Sequence, residues 1–293
     1  HTVSVSLKQG GTLSASLSRF GDVFGEMEVG VIRAGEAAGN LDKMLLKLSQ
    51  QLDKSNALQI KLVTASIYPL AVLFVLIVAA WGMLAFVIPS LVGMLLEGGL
   101  TEEELPVLTR ILIGMSDFLA NYWWAVLVGA LIIYFTVKIW AESEAGKYRW
   151  DILKLEFPVV GDLLRKVYVL RFVSTLGILI ESGLPVIRSL EIVAQSISSQ
   201  MYALKTWEVI SRVKNGQKIS EALSDSSFLF PETVTQMMAV GEQTASVGKI
   251  AQKIGDHYDQ EIDNSLKRLT SLFEPIMIVL VGATVALLAL AIL

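Results

Sequence analysis

Residues 7–79 and 213–285 repeat one pattern at a constant offset of 206, with no gap between the copies. Lys8, Gly10, Ser14, Leu17, Ser18, Phe24, Glu26, Gly35, Glu36, Lys43, Lys47, Asp53, Lys61, Thr64 and Pro69 face Lys214, Gly216, Ser220, Leu223, Ser224, Phe230, Glu232, Gly241, Glu242, Lys249, Lys253, Asp259, Lys267, Thr270 and Pro275. Each copy ends by running into an apolar segment of membrane length. A helical module written twice and joined each time to such a segment reads as a membrane scaffold before it reads as an enzyme.

The apolar segments set the direction of the chain. With 53% hydrophobic residues and a mean hydropathy of +0.58, the sequence is too apolar for an ordinary water-soluble protein, yet 18% of it is charged. No charged residue occurs from Leu62 to Leu96, and the stretch from Pro69 to Pro89 rises roughly 30 Å as a helix, one bilayer core. Phe118 to Val137 is a second uncharged run, with Tyr122, Trp123 and Trp124 at one end and Trp140 beyond the other, where amphipathic rings settle at headgroup level. Pro275 to Leu293 is a third. A buried core helix is the competing reading of each, but helices apolar all round over such a length are unusual in water-soluble cores. Seven of the 24 Lys and Arg precede the first run, Arg110 alone lies between the first and second, and sixteen lie between the second and third. The positive-inside rule then puts residues 1–61 and 138–274 in the cytoplasm and the acidic loop with Glu97 and Glu102 to Glu104 outside.

The expected fold class is an all-α membrane protein with two homologous cytoplasmic helical bundles and three transmembrane helices. Its expected divisions are a first module at 1–61, spans at 62–96, 118–140 and 275–293, an external loop at 97–117 and a second module at 141–274. Leu41, Met44, Leu45, Leu48 and Leu52 fall on one helix face, and Val247, Ile250, Ala251, Ile254 and Tyr258 repeat that stripe. Asn40 and Ser246, just ahead, are residue types whose side chains cap helix starts. The stripes run toward Pro69 and Pro275 with few breaks. Either the water-facing helix continues into its span as a lever, or the prolines kink or end it at the membrane edge.

Few residues suggest chemistry. The chain has no cysteine and two histidines, so thiolate sites and cysteine nucleophiles are excluded by count. His257 with Asp256, Asp259 and Glu261 reads as a solvated helix face, because Gln51 stands at the matching place in the first copy. No metal, cofactor or nucleic-acid site is expected: a net charge of −4 supplies no basic field. The span interiors lack the ionisable residues that ion pathways and proton relays use, which argues against the alternative of a three-span transporter or channel component. An intramembrane hydrolase ranks lower still, with no nucleophile and base pair in view. The most pointed polar feature is Gly35-Glu36 with its repeat Gly241-Glu242. It is either a hinge and a contact for a basic partner, or a carboxylate stabilising the next helix start.

The repeat register also gives an expectation about the termini. The second copy is preceded by a helical stretch from Phe157 to Val213, whose counterpart, about fifty residues, would lie ahead of residue 1. Leu293 matches Val87, two positions short of Pro89, so the last segment is expected to continue as well.

Together these residues resemble the bacterial type II secretion F family, the inner-membrane platform proteins of type II secretion systems and type IV pili. Ala34-Gly35-Glu36 through Asn40-Leu41, and Gly241-Glu242 through Tyr258, are similar to its two glycine-glutamate signatures. Tyr68-Pro69 and Glu274-Pro275 resemble the paired points where it passes into the membrane. Leu105-Pro106, Thr109-Arg110 and Ser116-Asp117-Phe118 resemble its external loop; Phe157-Pro158, Gly161, Arg171-Phe172 and Ser182-Gly183-Leu184-Pro185 resemble the opening of its second domain. Two departures bear on turn geometry, Gly25 where Pro231 stands in the second copy and Ala245 where Gly39 stands in the first. The resemblance implies a non-enzymatic, homo-oligomeric hub in the inner membrane, multi-pass, with its N-terminus cytoplasmic and C-terminus periplasmic. Its implied partners are a cytoplasmic hexameric assembly or secretion ATPase, other inner-membrane assembly proteins, pilins or pseudopilins, and the lipid bilayer. In that reading Gly35, Glu36, Gly241 and Glu242 are hinge or partner-contact residues, and Pro69, Glu274 and Pro275 mark passage into the membrane.

Overall fold

A computed structural model describes residues 2–98, 107–158 and 160–292. In chain order it contains α1 (Thr2–Lys8), α2 (Leu13–Leu17), α3 (Glu26–Ala37), α4 (Leu41–Gly82), a π-helical turn (Met83–Val87) and α5 (Ile88–Glu97). There follow α6 (Val107–Glu142), α7 (Glu144–Glu156), α8 (Val160–Glu181), α9 (Val186–Ser196) and α10 (Gln200–Lys214). The last three are α11 (Ile219–Ser224), α12 (Glu232–Gln243) and α13 (Val247–Ile292). No strand occurs among the described residues, as the absence of any alternating apolar pattern requires.

The chain divides into two compact units, His1–Ile60 with Glu144–Leu266, and Lys61–Ser143 with Lys267–Leu293. In the first, helical residues of both copies enter one hydrophobic cluster: Leu17, Val31, Ile32, Met44 and Leu48 join Phe172, Leu176, Leu179, Ile192, Phe230, Met238 and Ile254. Two homologous bundles were expected; in the compact unit, residues of both copies share one core. The reason lies on α3, where Gly30 presents no side chain. A Cβ there would stand 2.9 Å from Ile192 Cδ1, so α3 packs close against α9 and α8. Ion pairs also hold the first copy in this unit, Lys47 Nζ to Glu181 on α8 at 2.9 Å and the more exposed Lys54 to Asp256 of the second copy at 3.1 Å.

The apolar stripes are not equally covered. Ala251, Ile254 and Tyr258 are buried, with α8 running close by at Gly177, and so are Met44 and Leu48. Leu45 and Leu52, which match Ala251 and Tyr258, remain 40% and 44% exposed. At the centre of the unit, Tyr202 is fully buried among Tyr168 and Phe230, with ring centroids at 5.2 and 5.3 Å. Its phenol donates to the Leu229 carbonyl at 2.8 Å, fixing the chain between α11 and α12.

The second unit is apolar and open. Among the described residues, two helical stretches, Leu41–Ser90 and Asn121–Ala141, are long and apolar enough to cross a membrane. They overlap the first two of the three expected runs, the first ending at Ser90 and the second beginning at Asn121 instead of Phe118, near the point where the backbone of α6 leaves helical geometry at Tyr122 (φ −122°, ψ 22°). Side chains such as Leu70, Phe74, Ile133 and Phe135 stand open, an arrangement that water penalises and hydrocarbon does not. Pro69 and Pro275 both lie inside continuous helices, so neither ends its helix. Residues from Val107 through Ser116 are helical, forming the start of α6 and packing along the π-turn and α5.

Replacing Tyr202 by Phe removes the donor to Leu229 and leaves a buried carbonyl without its partner. The expected cost is about 1–3 kcal/mol, read as a lowered melting temperature by circular dichroism in detergent.

Candidate functional site

The two Gly-Glu elements lie inside helices, not in turns: Gly35 and Glu36 on the last turn of α3, Gly241 and Glu242 on that of α12. Each glycine is a packing site. A Cβ at Gly35 would be 2.9 Å from Met44 Cβ and 3.2 Å from Leu41 Cα; at Gly241 it would be 3.1 Å from Ile250 Cβ and 3.2 Å from Val247 Cα. Those neighbours are themselves repeat partners. The bare backbone therefore lets α3 rest on the first turn of α4, and α12 on that of α13, at a distance no side chain permits.

The glutamates face the other way. Glu36 accepts hydrogen bonds from the backbone N–H groups of Leu13 and, at 3.1 Å, Ser14, the first residues of α2. Glu242 accepts from the N–H groups of Ile219 and, at 3.2 Å, Ser220, and also from the Ser220 hydroxyl. The carboxylate thus caps the start of the preceding short helix, 22 or 23 residues upstream, and not the next helix as one sequence reading supposed. A helix start exposes amides without intrahelical partners and carries partial positive charge, so an anion there is stabilised twice over. In the first copy Thr12 assists, its hydroxyl accepting from Ala15 N–H at 3.2 Å; in the second, Lys218 stands at that place and offers no side-chain acceptor. Partial burial raises the Glu36 pKa, but hydrogen bonds from Ser14 and Leu13, with the nearby Arg33 charge, outweigh it and hold the carboxyl below its ordinary value.

Helix exits repeat too. Asn40 N–H donates to Gly35 O at 3.0 Å and Ser246 N–H to Gly241 O at 2.8 Å, the bond that closes a helix through a left-handed residue. That residue is Gly39 at φ 67° in one copy and Ala245 at φ 50° in the other. The alanine keeps the turn at the cost of left-handed strain. Gly25 and Pro231, the other departure, both hold extended backbone ahead of their helices (ψ 175° and 152°), so the exchange leaves the helix start unchanged. The expected side-chain caps at Asn40 and Ser246 are not made: Asn40 Oδ1 is buried without a partner, and Ser246 Oγ pairs with Thr244 Oγ1 at 2.6 Å.

Other sequence-selected residues scatter. Leu105 and Pro106 lie outside the described residues; Thr109, Arg110 and Ser116 lie on α6, and Glu274 on α13. A cleft of about 380 Å³ borders α3 and the Ser182-to-Pro185 turn, with Glu26, Arg33 and Arg188 on its walls. Its one hydroxyl, Ser182 Oγ, already donates to the Ile178 carbonyl at 2.6 Å. Sequence reading missed a third remote cap, Asp151, which accepts from Gln200 N–H at 2.6 Å and Ser199 Oγ at 3.1 Å at the start of α10. Nothing local marks it, since its partners lie 48 and 49 residues away.

Comparison with known proteins bears on this geometry. The family described as "Type II secretion system (T2SS), protein F" matches residues 1–89 and 172–293. The type IV pilus assembly protein PilC of Thermus thermophilus is 31% identical over 285 residues, 97% of this chain and 69% of that protein. PilC of Myxococcus xanthus is 32% identical over 97% of this chain and 67% of its own length. The type II secretion system protein F of Aeromonas hydrophila is 28% identical over 100% and 74%.

Three outcomes are expected from the site. Gly39→Ala costs about 1–2 kcal/mol, whereas Ala245→Gly is neutral or stabilises by up to about 1 kcal/mol, measured by paired thermal melts. Loss of the cap in Glu36→Ala costs about 1 kcal/mol, and Glu36→Gln, which keeps an acceptor oxygen, costs less. Because the folded carboxyl titrates below its ordinary 4.5, its stabilisation is complete above that pH and is lost as pH falls through the lower folded value. Glu36→Gln therefore flattens that part of the acid limb in a stability-versus-pH series.

Proposed function

We propose, from the premise that this chain belongs to the type II secretion system protein F family, that it is a platform protein for assembling a type IV pilus or type II secretion machine. The observation that carries the reading is similarity along nearly the whole chain to proteins named for both assemblies. Proteins of this family are membrane components. Three spans, at 62–96, 118–140 and 275–293, set the water-facing modules 1–61 and 141–274 on the cytoplasmic side, with the loop 97–117 and the C-terminus outside. The distribution of Lys and Arg supports that direction.

In this role the protein is a mechanical part and not an enzyme. Energy enters through a cytoplasmic hexameric ATPase, and the work is extraction of pilin or pseudopilin subunits from the membrane. The modules transmit force because they are packed without slack: Gly35 and Gly241 seat α3 and α12 directly on the long helices that lead into the apolar segments. Glu36 and Glu242 hold the short helices in place, and their outer faces are available to a basic residue of a partner. Homo-oligomers and other inner-membrane assembly proteins complete the platform.

The double variant Glu36→Ala with Glu242→Ala tests the reading in a cell that assembles fibres. Membrane insertion and protein level are expected to persist while fibres or secretion are lost. Normal assembly in that variant would remove these elements from force transmission.

A further inference from the structure

Within the apolar unit, the π-turn at Met83–Val87 meets a proline, and the combination leaves a carbonyl short of a donor. In a regular α-helix the Leu84 carbonyl accepts from the N–H of residue 88. Here the Ile88 N–H goes to Met83 O instead, the bond of the wider turn. The next donor in that wider pattern belongs to position 89, which is Pro89 and has no N–H. The Leu84 carbonyl therefore loses its α-helical partner to the π-turn and its π-helical partner to proline.

Ser116 fills the gap. It lies on α6, is 1% exposed among open apolar side chains, and its hydroxyl donates to Leu84 O at 2.6 Å. We propose that Ser116 is a positioning residue whose hydroxyl replaces the amide proton missing at Pro89, and so locks the register of the first part of α6 against the π-turn and α5. Two features make the lock specific. The acceptor exists only because of the π-turn and the proline, so sliding α6 along α5 takes the hydroxyl away from the one carbonyl that needs it. Ser116 is buried, so water does not substitute for its hydroxyl, and a shifted α6 leaves the carbonyl unmatched; the hairpin therefore has a single favoured register. Ile88, the residue that follows the turn, is itself buried. The inference does not depend on the platform reading, because it concerns only how this hairpin holds together.

A double-mutant cycle in detergent tests it, with the unfolding equilibrium of the full chain followed by denaturing-detergent titration. Ser116→Ala is expected to shift that equilibrium toward unfolded protein by about 3- to 20-fold, the range of interhelical hydrogen bonds in membrane proteins. Ser116→Thr, which keeps a hydroxyl, stays near the parent. In a Pro89→Ala background, where an N–H at position 89 can reach Leu84 O, Ser116→Ala shifts the equilibrium less than about twofold. Equal losses in both backgrounds would overturn the proposal. Should Ser116→Ala alone not be recovered folded, recovery of the Pro89→Ala, Ser116→Ala double variant supports it, and failure of that variant too overturns it.

Discussion

A carboxylate set against the first amides of a short helix, more than twenty residues upstream, is the interaction from which each copy of the repeat is built. Without it, α2 and α11 are five and six residues long, well below the length at which a helix persists in water. With it, the short helix is fastened to the end of α3 or α12, and the glycine beside the glutamate fastens that same end to the next long helix. Adjacent residues thus join three helices, one through its charge and the other through its lack of a side chain. A change at either position loosens the whole corner.

Much of this was legible in the sequence because the chain states it twice. Gly35 and Glu36 recur at 241 and 242, and Ser14, the partner of Glu36, recurs as Ser220; both members of the pair were in register, but the register did not say that they meet. What single positions could not give was direction. A helix-terminal glutamate near a glycine suggests a local cap on the following helix, and only the folded path shows that it reaches back. The same limit explains Asn40 and Ser246, sound capping types by local rules, whose side chains turn elsewhere once the left-handed residue at 39 or 245 supplies the closing bond. Asp151 was invisible for the reason that its helix is distant in sequence.

The shared core was harder to foresee than the helices. Periodicity marks which residues of a helix are apolar but not which other helix will cover them. Met44 and Leu48 enter the cluster with Ile254, while Leu45 and Leu52, apolar by the same count, stay open where Ala251 and Tyr258 are closed. In the apolar unit the sequence conveyed composition and length, and these located the two membrane-length helices; the π-turn left no mark apart from Pro89 and a serine 27 positions later that seemed to belong to a loop. Helices that meet through glycines, remote caps and a shared core make one closely packed unit of residues from both copies.

The most direct measurement of that claim uses the natural absence of cysteine. Lys54 and Asp256 lie in different copies and meet at 3.1 Å in the unit that holds the shared core. With Lys54→Cys and Asp256→Cys introduced together, a short bismaleimide applied to membranes is predicted to join the two sites within one chain, seen as a shifted monomer band. No cross-link, or links formed only between chains, would contradict a single core built from both copies.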